Sequence, residues 1–277
     1  MGKAEVTKNV EEAARLEKEE RKIDKMFTYV KGFLHGADLK ESINALTYMR
    51  KRHAGQKRES GESYIVHPLR MASTAMALGI RDDDLLATIL IHDVVEDTGV
   101  TVNDLPFNDR IKRSVKYMTV TRFGDELKSD TKKRYYKNLL EDPNAVICKG
   151  LDRGDNLSTI IEMPEKSIVK NVLETNIMLM PVMREAKELW PNLSNILYVL
   201  RLFIRNINTI LAFGYRINPN DEELLMKILD DPDFVWESRI CGSEKNLRSE
   251  KNVFTKDKIE DETKKAIELA GELMPDF

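Results

Sequence analysis

The chemistry-bearing residues of this chain stand at the ends of apolar segments. In "LLATILIHDVVEDTGVT", residues 85–101, Leu85, Leu86, Ile89, Leu90 and Ile91 lead into His92 and Asp93, and Val94-Val95 lead into Glu96 and Asp97. Burying an imidazole and carboxylates without partners costs several kcal/mol each, so a partner is required, either a metal ion or a neighbouring cation. His67 stands in "SYIVHPLRMA", and "VICKGLDRGDNLST" places Asp152 and Asp155 at the end of a third apolar stretch. Two imidazoles and two carboxylates arriving from three elements suit one divalent ion of borderline hardness. With 84–96 read as one helix, 92 and 96 share a face, as do 93 and 97. Glu96 and Asp97 then stand one turn beyond the ligand pair, where a carboxylate can take a proton from an activated water.

The elements that must position these groups read as helices. Leu39, Ile43, Leu46 and Met49 keep helical spacing, and "ESGESY" is a loop by its Gly and Ser content. Pro68 stands where a helix can start, and "GIRDDD" is a turn whose Asp residues can cap the helix over 84–96, which Gly99 ends. Further helices are expected at 107–119, 130–141, 166–189 with a kink at Pro181, 192–213, 221–230 and 256–273. Pro143 opens a helix or turn. No βαβ alternation and no internal repeat is present, so the fold class is all-α. The expected divisions are a charged N-terminal helix at 1–31, a domain carrying the candidate metal site at 32–215 and a helical extension at 216–277. The first reads as a solvated helix, with an oligomer contact as its alternative.

Composition narrows the function. Of 277 residues, 42% are hydrophobic and 33% charged, and the net charge is −3, which gives no global basic field for a DNA or RNA polymer. Cys148 and Cys241 form no CxxC pair and read as reduced thiols. "MGKAEVTKNVEEAARLEKEERK" has no apolar h-region, and Val6 breaks the myristoylation pattern. Arg201 and Arg205 interrupt the most apolar stretch, 195–213, which reads as a core helix and not a membrane span. The expectation is a cytoplasmic protein with no membrane partner, homo-oligomer formation staying open.

One local charge run matters. "MRKRHAGQKRES" sets Arg50, Lys51, Arg52, Lys57 and Arg58 within nine residues of an acidic chain. Taken alone such a run is a solvated face; if the site acts on phosphates, the run reads as an anion binder, with Arg52 and Lys57 facing those phosphates. His53 either reaches those phosphates or ends a helix, and His35 reads as a surface residue.

Together, "RHAGQKRESGESYIVHP", "HDVVEDT", "VKYMTVTRFG" and "ICKGLDRGDNLST" resemble the HD-domain hydrolase half of the RelA/SpoT family, closest to stand-alone small alarmone hydrolases. The resemblance covers roughly residues 35–165. It implies that His67, His92, Asp93 and Asp152 hold Mn²⁺ and that Glu96 and Asp97 serve the attacking water. It also implies that Arg58, Ser60, Asn156 and Thr159 contact a nucleoside. The implied reaction removes the 3′-pyrophosphate from ppGpp or pppGpp. An adenosine alarmone or other phosphorylated nucleotide is the enzyme alternative, and a non-hydrolysing alarmone binder is the alternative from another class. Three departures bear on the pocket: Gly150 and Gly154 stand within a helix where the family shows "KLADRLHN", Ser158 replaces a frequent Arg, and Arg122 replaces the usual "VTK" pattern. The two glycines predict a looser or reshaped pocket wall. Arg153 is expected to pair with a ligand carboxylate or to form a surface ion pair. Residues 166–277 are expected to complete the fold, cover the pocket or form an oligomer interface.

Overall fold

A computed structural model describes residues 3–58 and 61–239, with side chains from residue 17 onward. Ser60 and the helix expected at 256–273 lie outside the described residues. One compact unit runs Met1–Glu237, and a second is Ser238–Phe277. Among the described residues the first unit contains helices and no strand, only an isolated antiparallel bridge between Lys57 and Ser63.

Helix α4 (Asp83–Ile91) is the centre of the fold, because every residue from Leu85 to Ile91 is buried and all of these but Thr88 are apolar. It packs on α2 (Lys40–Arg52), α3 (Val66–Ala77), α6 (Asp109–Met118) and α8 (Pro143–Thr159), while α1 (Lys3–Gly36) covers α2 and α3. Removing Leu86, Ile89, Leu90 and Ile91 from water stabilises the fold by about 1.5–3 kcal/mol per side chain. Aspartates order the helix starts. Asp82 accepts the Leu85 N–H of its own helix, and Asp83 accepts the N–H groups of Glu41 and Ser42 from α2 at 2.9 and 2.8 Å. One acidic turn thereby caps two helices and fixes their mutual position.

The helix expected at 84–96 is broken. It ends at Ile91, and a one-turn α5 (Val94–Asp97) follows after His92 and Asp93. The cause is local: the His92 ring bonds the Ile89 carbonyl through Nδ1 at 2.9 Å and diverts an acceptor that a continued helix would use. Gly99, at φ +69°, then supplies the left-handed residue that ends α5.

The second half begins with α7 (Lys128–Asn138), which a 3-10 turn over Leu139–Glu141 joins to α8, capped by Asp142. The segment expected as a helix at 166–189 kinked at Pro181 is α9 (Glu165–Glu174), a π-turn over Thr175–Leu179, and α10 (Met180–Leu189). Pro181 has no N–H to continue the ladder, and the wider turn before it absorbs the mismatch. Helix α11 (Ser194–Gly214) corrects the expectation of a core helix. It buries Leu197, Leu200, Ile204, Asn208 and Ala212 on one face, whereas Tyr198, Phe203, Ile210 and Phe213 are exposed. By length and composition Pro191–Gly214 is apolar enough to cross a membrane, although only part of it is buried. Helix α12 (Glu222–Asp230) closes the unit against α9 and α7, with Asp230 accepting the Ser129 N–H.

The glycines of α8 have a packing reason that sequence reading did not find. A Cβ on Gly150 would meet Met183 Cε at 3.0 Å, and one on Gly154 would meet Phe203 Cε1 at 2.9 Å. Their absence of a side chain lets α10 and α11 lie close on α8, so this wall is tight where the sequence suggested a looser one.

Candidate active site

Three elements deliver the candidate ligands: the first turn of α3 carries His67, the α4–α5 break carries His92 and Asp93, and the middle of α8 carries Asp152. Their ligand atoms converge. His92 Nε2 lies 3.0 Å from Asp93 Oδ2 and 3.9 Å from Asp152 Oδ1, and His67 Nε2 lies 3.3 Å from Asp152 Oδ1 and 3.7 Å from Asp93 Oδ2. Ligands at roughly 2.0–2.3 Å from one ion, in tetrahedral or octahedral array, are separated by roughly 2.8–3.8 Å; the ligand atoms of His67, His92 and Asp93 all lie within 4.8 Å of one another, and Asp152 Oδ1 stands beside that group, within 3.9 Å of both imidazoles.

The two Nε2 atoms test whether a cation fits. Both are buried and have no hydrogen-bond partner, while each ring's other nitrogen is engaged. His67 Nδ1 meets Asp155 Oδ2 at 2.6 Å, and His92 Nδ1 meets the Ile89 carbonyl. That arrangement leaves each Nε2 lone pair facing the carboxylates. Electrostatics agree. Burial alone would lower the His92 imidazole, but Asp93 and then Asp152 outweigh it and lift the group to about 9. Asp152 is held well below the usual carboxylate range against its burial, by Lys149 first. A site that draws a proton onto a fully buried imidazole is one that suits a positive charge.

The surrounding groups orient this set. Tyr64 donates its hydroxyl to Asp93 Oδ2 at 2.6 Å; burial, then the Asp93 charge, keep that phenol protonated. Asp152 accepts from Lys149 Nζ and from Asn156 Nδ2, both at 2.6 Å. Asp155, besides orienting His67, is gripped by Arg70 through Nε at 2.7 Å and Nη2 at 3.0 Å. Sequence reading missed the parts played by Tyr64, Arg70 and Lys149. A signal was available, since Arg70 stands three residues after His67 and Asp155 three after Asp152, each pair on one helical face.

Glu96 lies beyond the cluster on α5, and its Oε1 accepts the Val120 N–H at 2.6 Å. Its carboxyl is raised above the ordinary range, first by the protein atoms around it and then by the Asp93 charge, although the residue is exposed. Asp97 is exposed on the same turn, and the Gln56 amide donates to its main-chain carbonyl at 3.2 Å. Arg58 reaches α8, bonding Asp155 Oδ2 at 3.3 Å and the Asn156 side-chain carbonyl. Thr159 bonds back to the Asp155 carbonyl at 3.1 Å. Arg52 and Lys57 are not drawn in: both are exposed, Arg52 lying over the Tyr48 ring at 4.9 Å, and neither side chain has an ion pair among the described residues. His53 is the residue that ends α2; buried, it bonds Gln56 at 2.7 Å and stacks on Tyr64. His35 is exposed. Arg153 contacts no ligand and is no surface residue: buried, it joins Tyr136, Asn171 and Glu174 in a network that ties α7, α8 and α9 together.

Comparison with known proteins fits this geometry. Residues 45–175 match the family described as HD domain, and all four converging residues fall inside that stretch. That stretch is therefore similar to HD domains, and among its described residues the regular elements are all helices. Over the same region it is 34% identical to guanosine-3′,5′-bis(diphosphate) 3′-pyrophosphohydrolase of Aquifex aeolicus, across 48% of this chain and 20% of that protein. The protein of the same name from Spiroplasma citri is 36% identical, across 45% and 17%. Bifunctional (p)ppGpp synthase/hydrolase RelA of Mycobacterium tuberculosis is 31% identical, across 50% and 19%. The chain spans about a fifth of the length of these relatives.

Proposed function

We propose that this protein hydrolyses the 3′-pyrophosphate of (p)ppGpp-like alarmone nucleotides with a divalent ion, Mn²⁺ being the expected one, and that it does so in the cytoplasm. The observation that carries the reading is the pair of buried, unpartnered Nε2 atoms facing two carboxylates. His67, His92, Asp93 and Asp152 would hold the ion. When bound, such an ion supplies Lewis acidity toward a phosphoryl oxygen and acidifies a water.

The chain's own residues do the rest. Asp155 and the Ile89 carbonyl fix the imidazoles so that Nε2 is the ligating atom. Tyr64 holds the Asp93 carboxylate in place. Glu96 takes the proton from the attacking water: its raised carboxyl is a stronger base than an ordinary glutamate, and the Val120 N–H aims one of its oxygens. Asp97 assists from the same turn. Arg58, tethered to Asp155 and Asn156, presents a planar guanidinium suited to a purine face, with Thr159 and Ser60 completing the nucleoside contacts. Arg52 and Lys57 add positive charge at the approach.

Release of pyrophosphate across a panel of guanosine and adenosine nucleotides, with and without 3′-diphosphates and with Mn²⁺ present, tests this. Wild-type protein should release pyrophosphate only from 3′-diphosphorylated substrates, and Asp93→Asn should not. Absence of turnover on every 3′-diphosphorylated nucleotide would remove the proposal.

A further inference from the structure

Helix α1 carries a row of cations that the chemistry above leaves unused. Lys18, Arg21, Lys22 and Lys25 follow i, i+3, i+4, i+7 spacing and are exposed on one face, while Ile23, Met26, Phe27 and Val30 pack toward the core on another. The four line a groove of about 860 Å³ that also includes Arg70 of α3 and Ser158 and Thr159 at the end of α8. Carboxylates line it too, but two of the three are committed. Glu62 is divided between Lys22 at 3.1 Å and Arg70 at 2.7 Å, and Glu19 accepts the Ser63 N–H at 2.8 Å; Glu162 is the third. Arg21 is paired with Glu17. Lys18 and Lys25 have no ion pair among the described residues.

The groove shares two residues with the surroundings of the active site. Arg70 belongs to both, since one edge of its guanidinium meets Glu62 in the groove and the other meets Asp155, which orients His67. Thr159, assigned to the nucleoside, also lines the groove. A nucleotide sugar seated at Thr159 stands at the edge of this groove, beside its cations.

We infer that the groove between α1 and α8 is a subsite for the 5′-phosphate chain of the substrate, with Lys18 and Lys25 neutralising it. Helix α1 then sets preference by the number of 5′-phosphates. The inference rests on the function proposed above, and a second measurement separates the two.

The first measurement takes kcat/KM of the full chain on 3′-diphosphorylated guanosine bearing a 5′-hydroxyl, a 5′-diphosphate or a 5′-triphosphate. In Lys18→Gln/Lys25→Gln the ratio of the triphosphate value to the hydroxyl value should fall about three- to tenfold, as two partly exposed ion pairs would give. Lys18→Arg/Lys25→Arg should restore it, and raised salt should shrink the wild-type ratio. An unchanged ratio in the Gln variant overturns the subsite. The second measurement is calorimetric binding of inorganic tripolyphosphate without added metal, which needs no turnover. Weaker binding by the Gln variant supports the groove as the anion site even if no substrate is cleaved. Equal binding by both proteins overturns it even if the enzyme is active.

Discussion

Glu96 is the residue on which the proposed chemistry turns. A carboxyl raised above its ordinary 4.5 must lose its proton before it can act, so the acid limb of kcat/KM should lie above pH 4.5. Glu96→Gln should lower kcat by about 10²–10⁴-fold, the usual cost of losing a general base, and should flatten that limb while metal affinity holds. Full activity in the variant, or an unmoved pH profile, would assign the proton to another group. At this scale much of the candidate site was legible in sequence. His67, His92, Asp93 and Asp152 stood out because ligand-type residues ended three apolar stretches, and the structure brings those four side chains together. Less legible were the residues that orient them. Tyr64 and Arg70 are ordinary in type, and Lys149 reads as a flanking charge until α8 turns it onto Asp152. Arg153 was misread because an arginine in a polar stretch gives no hint of Glu174, which lies in another helix.

At the scale of elements, periodicity gave the helices but not their interruptions, of which the one at Pro181 was expected from the proline itself. The break at His92 depends on a side chain competing for a carbonyl, and the π-turn depends on the missing N–H of Pro181; neither alters the hydrophobic repeat that a sequence displays. The glycines of α8 were legible as departures, but their reason lay in α10 and α11, far along the chain. They support a comparison. Ala in place of Gly gains about 1 kcal/mol of helix propensity, against about 1–3 kcal/mol for overpacking. At Gly150 the neighbours Met183 and Leu200 are both buried and have little room to yield, so Gly150→Ala should lower stability by about 1–2 kcal/mol net. At Gly154 the obstructing Phe203 is half exposed and can swing outward, so Gly154→Ala should cost less. Chemical denaturation of the two variants orders them; a more damaging Gly154→Ala would mean that α11 is seated more rigidly than its exposed face implies.

For the whole molecule, an ion held at the proposed site would couple to folding and to protons. The four candidate ligand residues, from α3, the α4–α5 break and α8, meet only in the folded chain, so an ion bound there should stabilise the entire unit. At a concentration 100-fold above Kd the gain is about 2.7 kcal/mol. The protons run as follows. In the metal-free protein the His92 imidazole is raised from 6.5 to about 9, so its protonation adds stability that is full below pH 6.5 and is lost as pH rises through 9. An ion needs that nitrogen deprotonated. Metal uptake near pH 7.5 should therefore expel about one proton, and apparent affinity should climb between pH 6.5 and 9. Thermal melts with and without Mn²⁺ at both pH values, paired with calorimetry in buffers of different ionisation enthalpy, read both effects. The melting shift should be larger at pH 9 and absent in His67→Ala and Asp93→Asn. If those variants melt at the same Mn²⁺-raised temperature as wild type, the ion binds elsewhere and the four converging side chains do not hold it.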